Sequence, residues 1–502
     1  MFTHLKKMAS LVVFFMITIA FLGCGEGAAA NIPPNPPSGG GDVGPRANNY
    51  DDPADAIYVS TSGNDATATG SIDKPYKSIN TALSKASPGK TIVLRGGTYR
   101  EGRDVRVRKS NITIKSAKGE WAVIDLTTFN PGNEEHSGVE FYAEDEDTHD
   151  VVTGCKLQSV EVKGGFYAVN FDTKWDWVEA GDPPGPGVSN IIIEDCILHD
   201  STNDVVKVKP GCKNITIRYN EIYNSGREYV GDPDFKSGEC NSEGIDNVNG
   251  DKMHVHNNYI HDICSNAIYA KGGAREVLIE KNRIERAYGA GIMVGFDTSP
   301  DFFDLAVNPE YYENIQGIVR NNLIIDTGWE GIGLYASKNA EIYNNTVVNA
   351  VTYGTGKYHS PIYFGIATQD WDNPDGCPPN VNPHIHHNIV CQTSSNSGQI
   401  IYIRFIEDFY DPDDYPGLLS YDLSSLEDNP KMNDNCYYVS GKSATFTDNR
   451  PGSILSDAGL SAWKAHIGGD IGSIEVNPAL DADYMPANTE CAGMGITSAL
   501  KK

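Results

Sequence analysis

One seven-residue pattern recurs along this chain, as Glu194-Asp195-Cys196-Ile197-Leu198-His199-Asp200, Arg218-Tyr219-Asn220-Glu221-Ile222-Tyr223-Asn224, His256-Asn257-Asn258-Tyr259-Ile260-His261-Asp262 and Glu280-Lys281-Asn282-Arg283-Ile284-Glu285-Arg286. Its third residue, mostly asparagine, returns at 322, 345 and 388, so that successive third positions lie 24, 38, 24, 40, 23 and 43 residues apart. Such self-similarity is typical of solenoid folds, in which each repeat is one coil. We interpret the steps near 24 as single coils and the longer steps as coils that carry an insertion.

Short apolar alternations lie between these anchors, as in Ile191-Ile192-Ile193, Ile215-Thr216-Ile217 and Val277-Leu278-Ile279. They indicate short strands joined by turns, without helical periodicity. The sequence therefore predicts an all-β fold, a right-handed parallel β-helix, whose asparagine side chains stack at one turn. Near the start, Ile79, Ala82, Leu83 and Ala86 share one helical face, which predicts an N-terminal helix capping the first coil.

Composition and charge restrict the function. The 502 residues include 40 Lys plus Arg against 67 Asp plus Glu, for a net charge of −27. Such a charge argues against sequence-independent binding to nucleic acid or to anionic lipid. The hydrophobic content of 39%, with 26 Tyr and 16 Phe, is sufficient for a packed core. We expect a folded, acidic protein that acts as a monomer.

The first residues predict export. Lys6 and Lys7 precede an apolar run from Met8 to Leu22, and the following Gly23-Cys24 resembles the bacterial lipoprotein box. That resemblance implies lipidation of Cys24, with a conventional signal peptidase site as the alternative. Residues 1–23 would then be a signal peptide and residues 24–56 a Pro/Gly-rich linker. We expect a protein of the bacterial cell envelope, attached to a membrane only through its lipid, facing the periplasm or the exterior, or secreted.

The remaining chain divides into a β-helix with loop insertions, residues 57–435, and a closing segment, residues 436–502, which we read as strands over the far end. Aligning the strands that follow each repeat places Val206, Ile245, Ile268, Ile292 and Ile332 in one core column. Because side chains alternate along a strand, a second set must then point outward on the same sheet. That set comprises Lys207, Lys209, Asp246, Tyr269 and Lys271.

Three acidic residues from two neighbouring coils converge at the start of these strands. Asp204 and Glu243 share a column, and Asp246 points outward beside them. Carboxylates gathered in this way are a plausible oxygen cage for Ca²⁺. A lysine near a dication loses its proton more readily and can act as a base, which makes Lys209 and Lys271 candidate catalytic residues. Ion pairing between these acids and the lysines is the alternative interpretation.

Two family resemblances follow from these residues. Asp204-Val205-Val206-Lys207-Val208-Lys209-Pro210 resembles the Glu-Ile-Ile-Ser-Xaa-Lys-Ser strand of polysaccharide lyase family six, the alginate and dermatan lyases. That resemblance implies that Asp204 binds calcium and that Lys209 is the base. The partner arginine of that family has no counterpart here, where residues 246 to 250 occupy the next coil.

The second resemblance is to the family nine pectate lyases. Ser242-Glu243-Gly244-Ile245-Asp246 resembles their calcium-binding Asp-Asp-Gly-Xaa-Asp, and the segment from Asn266 to Gly273 resembles their Asn-Gly-Phe-Lys-Xaa-Gly-Gly base segment. It implies that Glu243 and Asp246 bind calcium and that Lys271 is the base. The lysine is displaced by two residues, and Tyr269 stands in its place.

The sequence thus predicts a calcium-dependent polysaccharide lyase that cleaves an acidic, uronate polysaccharide by β-elimination. Asp204, Glu243 and Asp246 would bind the metal, Lys209 or Lys271 would be the base, and Lys207, Tyr269 and Arg227 would contact the substrate. A uronate C5-epimerase shares the proton abstraction and remains an alternative. So does a non-catalytic adhesin or glycan-binding surface lipoprotein.

Overall fold

The computed structural model describes residues 37, 41–128, 136–176, 184–227, 240–353, 359–368, 378–393, 398–406 and 423–502. The predicted signal peptide, the lipidation site Cys24 and most of the predicted linker lie outside the described residues. Residues 33–502 belong to one compact unit. No helix within the described ranges is long and apolar enough to cross a bilayer.

The chain winds through three long sheets, each of twelve strands within the described residues. Sheet 1 comprises Ile57–Val59, Thr91–Leu94, Thr113–Ser116, Lys156–Gln158, Ile192–Glu194, Thr216–Arg218, His254–His256, Leu278–Glu280, Ile318–Arg320, Glu341–Tyr343, His384–His386 and Lys431–Asn433. Sheet 2 comprises Gly97–Tyr99, Ala122–Leu126, Val160–Gly164, Ile197–His199, Glu221–Tyr223, Tyr259–Ile263, Arg283–Ala287, Leu323–Ile325, Thr346–Val348, Ile389–Gln392, Cys436–Val439 and Ile474–Glu475.

Sheet 3 carries the residues of interest. It comprises Val105–Val107, Val139–Phe141, Val169–Phe171, Val206–Val208, Ile245–Val248, Ile268–Lys271, Ile292–Val294, Ile332–Tyr335, Ile362–Gly365, Gln399–Ile403, Thr445–Asp448 and Leu455–Ala458. Neighbouring strands of the three sheets are parallel, except that Leu455–Ala458 runs antiparallel to Thr445–Asp448. A smaller sheet joins Ala274–Arg275, Asn314–Ile315 and Ser337–Lys338. The fold is the predicted right-handed parallel β-helix.

The core column of sheet 3 is confirmed. Val206 pairs with Ile245, Ile245 with Ile268, Ile268 with Ile292 and Ile292 with Ile332. All five side chains are fully buried in one continuous core that runs along the solenoid. The residue that follows each of them in its strand therefore faces away from the core, as strand alternation requires.

The predicted asparagine stack is present, and we call it the asparagine ladder. Each Nδ2 before the last rung donates to the Oδ1 of the next ladder residue at 2.9 to 3.0 Å. The residue before each rung has a positive φ, which bends the chain from sheet 1 into sheet 2. The ladder comprises Asn220, Asn258, Asn282, Asn322, Asn345, Asn388 and, beyond the predicted set, Asn435.

Helices close the two ends of the solenoid. Helix α1, Ile79–Lys85, is the predicted cap and buries Ile79, Ala82 and Leu83 against the first coil. Helix α2, Leu460–Ile467, buries Trp463 against Phe446, with ring centroids 5.4 Å apart. The expectation that the closing segment consists only of strands is wrong at α2, because the solenoid pattern ends before it and a helix covers the last coil. Short 3₁₀ turns occur at Pro300–Phe302 and Thr489–Cys491.

The last residues of the chain return over the outer face of sheet 2, and we call residues 491–502 the C-terminal strap. The Gly495 N–H donates to the His387 carbonyl at 2.7 Å, and the Asp42 N–H donates to the Lys501 carbonyl at 2.6 Å. Met494, Ile496 and Leu500 are buried in a second apolar cluster, together with outward residues of sheet 2 such as Leu323 and Ile389. The strap thus protects apolar side chains that a bare sheet would expose.

Candidate functional site

Asp204, Glu243 and Asp246 come together on the outer side of sheet 3, and we call them the acid cluster. Each offers a carboxylate oxygen, and the three oxygens lie within 4.8 Å of one another. Asp204 and Glu243 precede two paired strands, and Asp246 is the outward residue of the second strand. The Glu243 N–H donates to Asp204 Oδ1 at 2.9 Å, which holds the two turns together. The sequence prediction that these acids converge is confirmed.

The acid cluster is buried and incompletely hydrogen bonded. Its residues are 1 to 2% exposed. Within the described chain, Glu243 Oε2 and Asp246 Oδ1 are buried oxygens that accept no hydrogen bond. Burial and the neighbouring Asp204 raise the pKa of Glu243 well above its ordinary value, and burial raises the pKa of Asp246. Unpaired oxygens of this kind are costly unless a proton or a cation satisfies them.

Lys207 is the cation closest to the cluster. Its Nζ donates to Asp246 Oδ2 and lies 3.3 Å from Asp204 Oδ2. Burial alone would lower the pKa of Lys207, but the Asp246 and Asp204 carboxylates raise it well above the ordinary value. Lys207 therefore carries a proton in this arrangement and balances part of the negative charge. This ion pair is the alternative that the sequence left open.

The two candidate bases have different neighbours. Lys209 Nζ lies 3.0 Å from Asp172 Oδ1, on the coil before the acid cluster. Lys271 Nζ donates to the Asp297 carbonyl at 3.0 Å and lies 4.5 Å from the centroid of the Tyr269 ring. The charge of Lys271 acts on both Glu243 and Asp246, lowering their pKa values against the effect of burial. Lys271 is thus the candidate base that is coupled to the acid cluster.

Tyr269 and Arg227, two of the predicted substrate contacts, have different surroundings. Tyr269 pairs in register with Asp246, but its side chain is 2% exposed and belongs to an apolar cluster with Met293 and Tyr335. The Arg227 guanidinium donates to the Thr127 carbonyl at 3.2 Å. The buried Tyr269 ring offers little surface to a sugar, and the substrate contact expected of Arg227 stays a prediction.

Two further features of the site were not predicted. A disulfide joins Cys240 to Cys264 and so ties together the segments that lead into the Glu243 and Asn266 turns. Asn266 Nδ2 donates to Glu243 Oε1 at 3.3 Å and orients that carboxylate. The spacing of 24 residues between the two cysteines, equal to one coil, is the signal that could have revealed the pairing.

The outward column continues towards the N-terminal end of sheet 3. Asn170 pairs with Lys207, and Glu140 pairs with Asn170. The Asn170 Nδ2 donates to Glu140 Oε1 at 3.1 Å. Burial, and then the Asp172 carboxylate, raise the pKa of Glu140 to about 7. The alternation in Val139-Glu140-Phe141 and Val169-Asn170-Phe171 could have placed both residues on this face.

Known proteins resemble this chain over part of its length. A family model described as the right handed beta helix region matches residues 151–362. A pectate lyase of Emericella nidulans, PEL9, is 40% identical over 74 residues, which cover 14% of this chain and 18% of that protein. The chain is a right-handed β-helix that resembles polysaccharide lyases. An uncharacterised Bacillus subtilis protein, YwoF, is 29% identical over 118 residues, covering 23% of this chain and 24% of its own length. The chain therefore spans less than a quarter of either relative.

Solved structures are similar to this chain over much of its length. Pectate lyase Pel9A has a TM-score of 0.46 at 15% identity, covering 68% of this chain and 76% of its own. The A-module of the Azotobacter vinelandii mannuronan C-5 epimerase AlgE6 has a TM-score of 0.49 at 11% identity, covering 80% and 94%.

Proposed function

We propose that the protein is a calcium-dependent lyase that cleaves a uronate polysaccharide by β-elimination at the acid cluster. The observation that carries the proposal is the convergence of three buried carboxylates from two adjacent coils, with two oxygens that accept no hydrogen bond in the described part of the chain. Hard oxygen ligands of this kind suit Ca²⁺. The short match to a pectate lyase supports the same reaction class.

The donor set fits a divalent cation. Asp204, Glu243 and Asp246 would hold it through carboxylate oxygens, and Asn266 would keep Glu243 in place through its amide. Bound calcium would neutralise the carboxylate of the uronate and stabilise the negative charge that develops when the C5 proton leaves. Lys207, which already contacts Asp204 and Asp246, would have to give up part of these contacts.

We propose Lys271 as the residue that removes the C5 proton. It is held by the Asp297 carbonyl and the Tyr269 ring, and its charge lowers the pKa values of Glu243 and Asp246 in the acid cluster. Lys209 is the weaker candidate, because its ion pair with Asp172 directs it towards the preceding coil. A neutral Lys271 amine would take the proton from C5, and the electron pair left there would form the C4–C5 double bond as the bond from C4 to the leaving oxygen breaks. The leaving oxygen would take a proton from water.

A non-catalytic glycan-binding protein is the second candidate function. The observation that favours it is the position of Lys207, whose ammonium group lies against two of the three carboxylates. A buried ion pair of this kind can close the cluster without any metal. In that case the outer face of sheet 3 would bind an acidic polysaccharide without cleaving it.

Residues 1–56 support a proposal about location. The protein would be exported by a signal built from Lys6, Lys7 and the apolar run, and a lipid on Cys24 would attach it to the bacterial cell envelope. The alternative is cleavage at a conventional signal peptidase site, which would release a secreted protein. Mass spectrometry of the mature N-terminus would distinguish a lipidated Cys24 from an unmodified end.

The decisive experiment follows ultraviolet absorbance of the new C4–C5 double bond. Purified protein would be incubated with pectate, alginate and glycosaminoglycans, with calcium and with a chelator. We expect absorbance that chelator abolishes, and that Glu243→Gln and Lys271→Ala reduce at least ~100-fold. The control is Lys338→Ala, which removes a lysine that is distant in sequence from the acid cluster and is paired with Glu310.

The outcomes separate the candidate functions. No absorbance together with an altered uronate stereochemistry, seen by nuclear magnetic resonance, would indicate a C5-epimerase. Binding with neither product would favour the glycan-binding protein. Full activity of Glu243→Gln in chelator would contradict the proposed site.

A further inference from the structure

A cavity lies at the capped end of the solenoid, away from the acid cluster. The cavity has a volume of about 480 Å³ and lies between helix α1 and the first strand of sheet 3. Four cationic side chains line it, Arg103, Arg106, Arg108 and Lys109, together with the carboxylate of Glu146. We call it the basic pocket. A concentration of positive charge is unexpected in a chain with a net charge of −27.

Part of this charge is not neutralised within the protein. Arg106 lies against Asp104 and 3.2 Å from Glu140, and Lys109 lies 3.0 Å from Glu146. Arg103 is exposed, and the Arg108 guanidinium lies 3.9 Å from the centroid of the Tyr142 ring. Neither Arg103 nor Arg108 has a carboxylate partner among the described residues. Both are therefore available to an anion from outside.

The basic pocket is in line with the acid cluster along sheet 3. Arg106 pairs in register with Glu140, Glu140 with Asn170, Asn170 with Lys207 and Lys207 with Asp246. These four steps of one strand spacing each amount to about 19 Å along the solenoid axis. A polysaccharide several sugars long that follows the axis would reach from one site to the other.

On the face between the two sites, cationic side chains lie beside the carboxylates. Glu140 lies against Arg106, Asp172 against Lys209, and Asp246 against Lys207. Each of these three carboxylates thus has a cation beside it, although Arg106 is shared with Asp104 and Lys207 with Asp204. The positive charges of Arg103 and Arg108 lie at the capped end of the solenoid, where they can bind a substrate carboxylate.

We propose that the basic pocket is a remote subsite for the carboxylates of a uronate polysaccharide whose reacting sugar lies at the acid cluster. The inference rests on the proposed function, since it takes its substrate class from it. Arg103 and Arg108 are the residues that bind the chain, because a guanidinium matches the two oxygens of a carboxylate and remains charged. The subsite adds affinity for long chains and takes no part in the chemistry.

The test measures calorimetric binding of oligouronates of increasing length to the full chain. We expect wild-type protein to bind long oligomers more tightly than short ones. Arg103→Gln with Arg108→Gln should weaken binding of the long oligomers about tenfold, by loss of charge-assisted contacts, and leave short oligomers unchanged. Lys281→Gln, at an exposed turn between sheets 1 and 2, is the control and should change nothing.

Three results would count against the subsite. Equal affinity of the double variant and wild type for every length would overturn it, as would equal weakening for short and long oligomers. Undiminished binding of a fully methyl-esterified chain would show that carboxylates are not what is recognised. If wild-type protein binds no oligouronate at all, the proposed function itself fails, and the two failures are therefore distinguishable.

Discussion

Lys207 is the side chain that determines how the acid cluster is neutralised. Its ammonium group contacts Asp246 and Asp204, while oxygens of Glu243 and Asp246 lack hydrogen bonds within the described residues. If the cluster is a cation site, the lysine and the metal compete for the same carboxylates. If the cluster is only an ion-pair network, no metal ion can replace Lys207 as the partner of these carboxylates.

The first prediction concerns Lys207→Met. In chelator we expect a lower melting temperature, because three buried carboxylates lose their cation. Calcium should restore stability by about 2.7 kcal/mol at a concentration 100 times the dissociation constant. Scanning calorimetry with and without calcium tests this, and Lys213→Met, at an exposed turn, is the control. A loss of stability that calcium leaves unchanged would favour the ion-pair network.

The second prediction concerns pH and Glu140. Its folded-state pKa of about 7 lies above the ordinary value of 4.5, so the folded state holds a proton that the unfolded state has already lost. Stability from this group is therefore greatest below pH 4.5 and falls as pH rises to about 7. Glu140→Gln should remove that slope, a relative gain on the order of 2 to 3 kcal/mol at pH 8. Denaturant unfolding of both proteins at pH 4.5 and pH 8 measures it, and a constant difference between them would contradict it.

Residue-scale reasoning from sequence brought the acids together but did not specify the contacts of the lysines. Asp204, Glu243 and Asp246 are short, so strand alternation and the coil step alone bring their carboxylates together. Lys209 and Lys271 are long, and each selects a partner on another coil, Asp172 or the Asp297 carbonyl. Those partners depend on how loops of irregular length return to the sheet, which the repeat pattern does not specify.

At the scale of elements, the asparagine ladder is the feature that holds the turn between sheets 1 and 2. The Nδ2 of Asn282 donates to Asn322 Oδ1 and to two backbone carbonyls, those of Val255 and Glu280. Because the group is fully buried, water cannot replace these bonds.

The third prediction is that Asn282→Asp lowers the free energy of unfolding by about 3 kcal/mol or more, since it removes the amide donor from buried acceptors. Asn382→Asp, at an exposed turn, should change stability by less than about 0.5 kcal/mol. Chemical denaturation monitored by circular dichroism provides the comparison. Equal effects of the two substitutions would show that the ladder is not a stabilising element.

Elements were predictable in proportion to their regularity. The strands, the ladder and helix α1 follow from periods of about 24 residues and from one amphipathic face. Helix α2 was missed because the pattern stops before it, and its role depends on covering Phe446, a contact that appears only once the last coil is formed.

At the scale of the whole molecule, the C-terminal strap connects distant parts of the sequence. It covers outward apolar residues of sheet 2 and meets the segment around Asp42. Cys491 Sγ lies 2.8 Å from Cys436 Sγ, at the point where the strap begins. No sequence period marks such a contact, because the strap passes across the coils and does not belong to one.

The fourth prediction is that deletion of residues 491–502 lowers the melting temperature and increases binding of a hydrophobic dye. Removal of Met494, Ile496 and Leu500 exposes Leu323 and Ile389, at a cost of about 1.5 to 3 kcal/mol for each large side chain that becomes exposed. Thermal unfolding with dye fluorescence measures both effects, and Lys502→Ala is the control. Unchanged dye binding would mean that the strap shields nothing.

The ladder also has a consequence for how proteins of this design can diversify. Its hydrogen bonds keep one length although consecutive rungs are separated by as few as 23 and as many as 47 residues. Natural selection can therefore insert, lengthen or exchange the segment between two rungs while the asparagine ladder stays intact. New surface properties can arise by changing segment length, a mutational route that a tightly interlocked globular domain rarely permits.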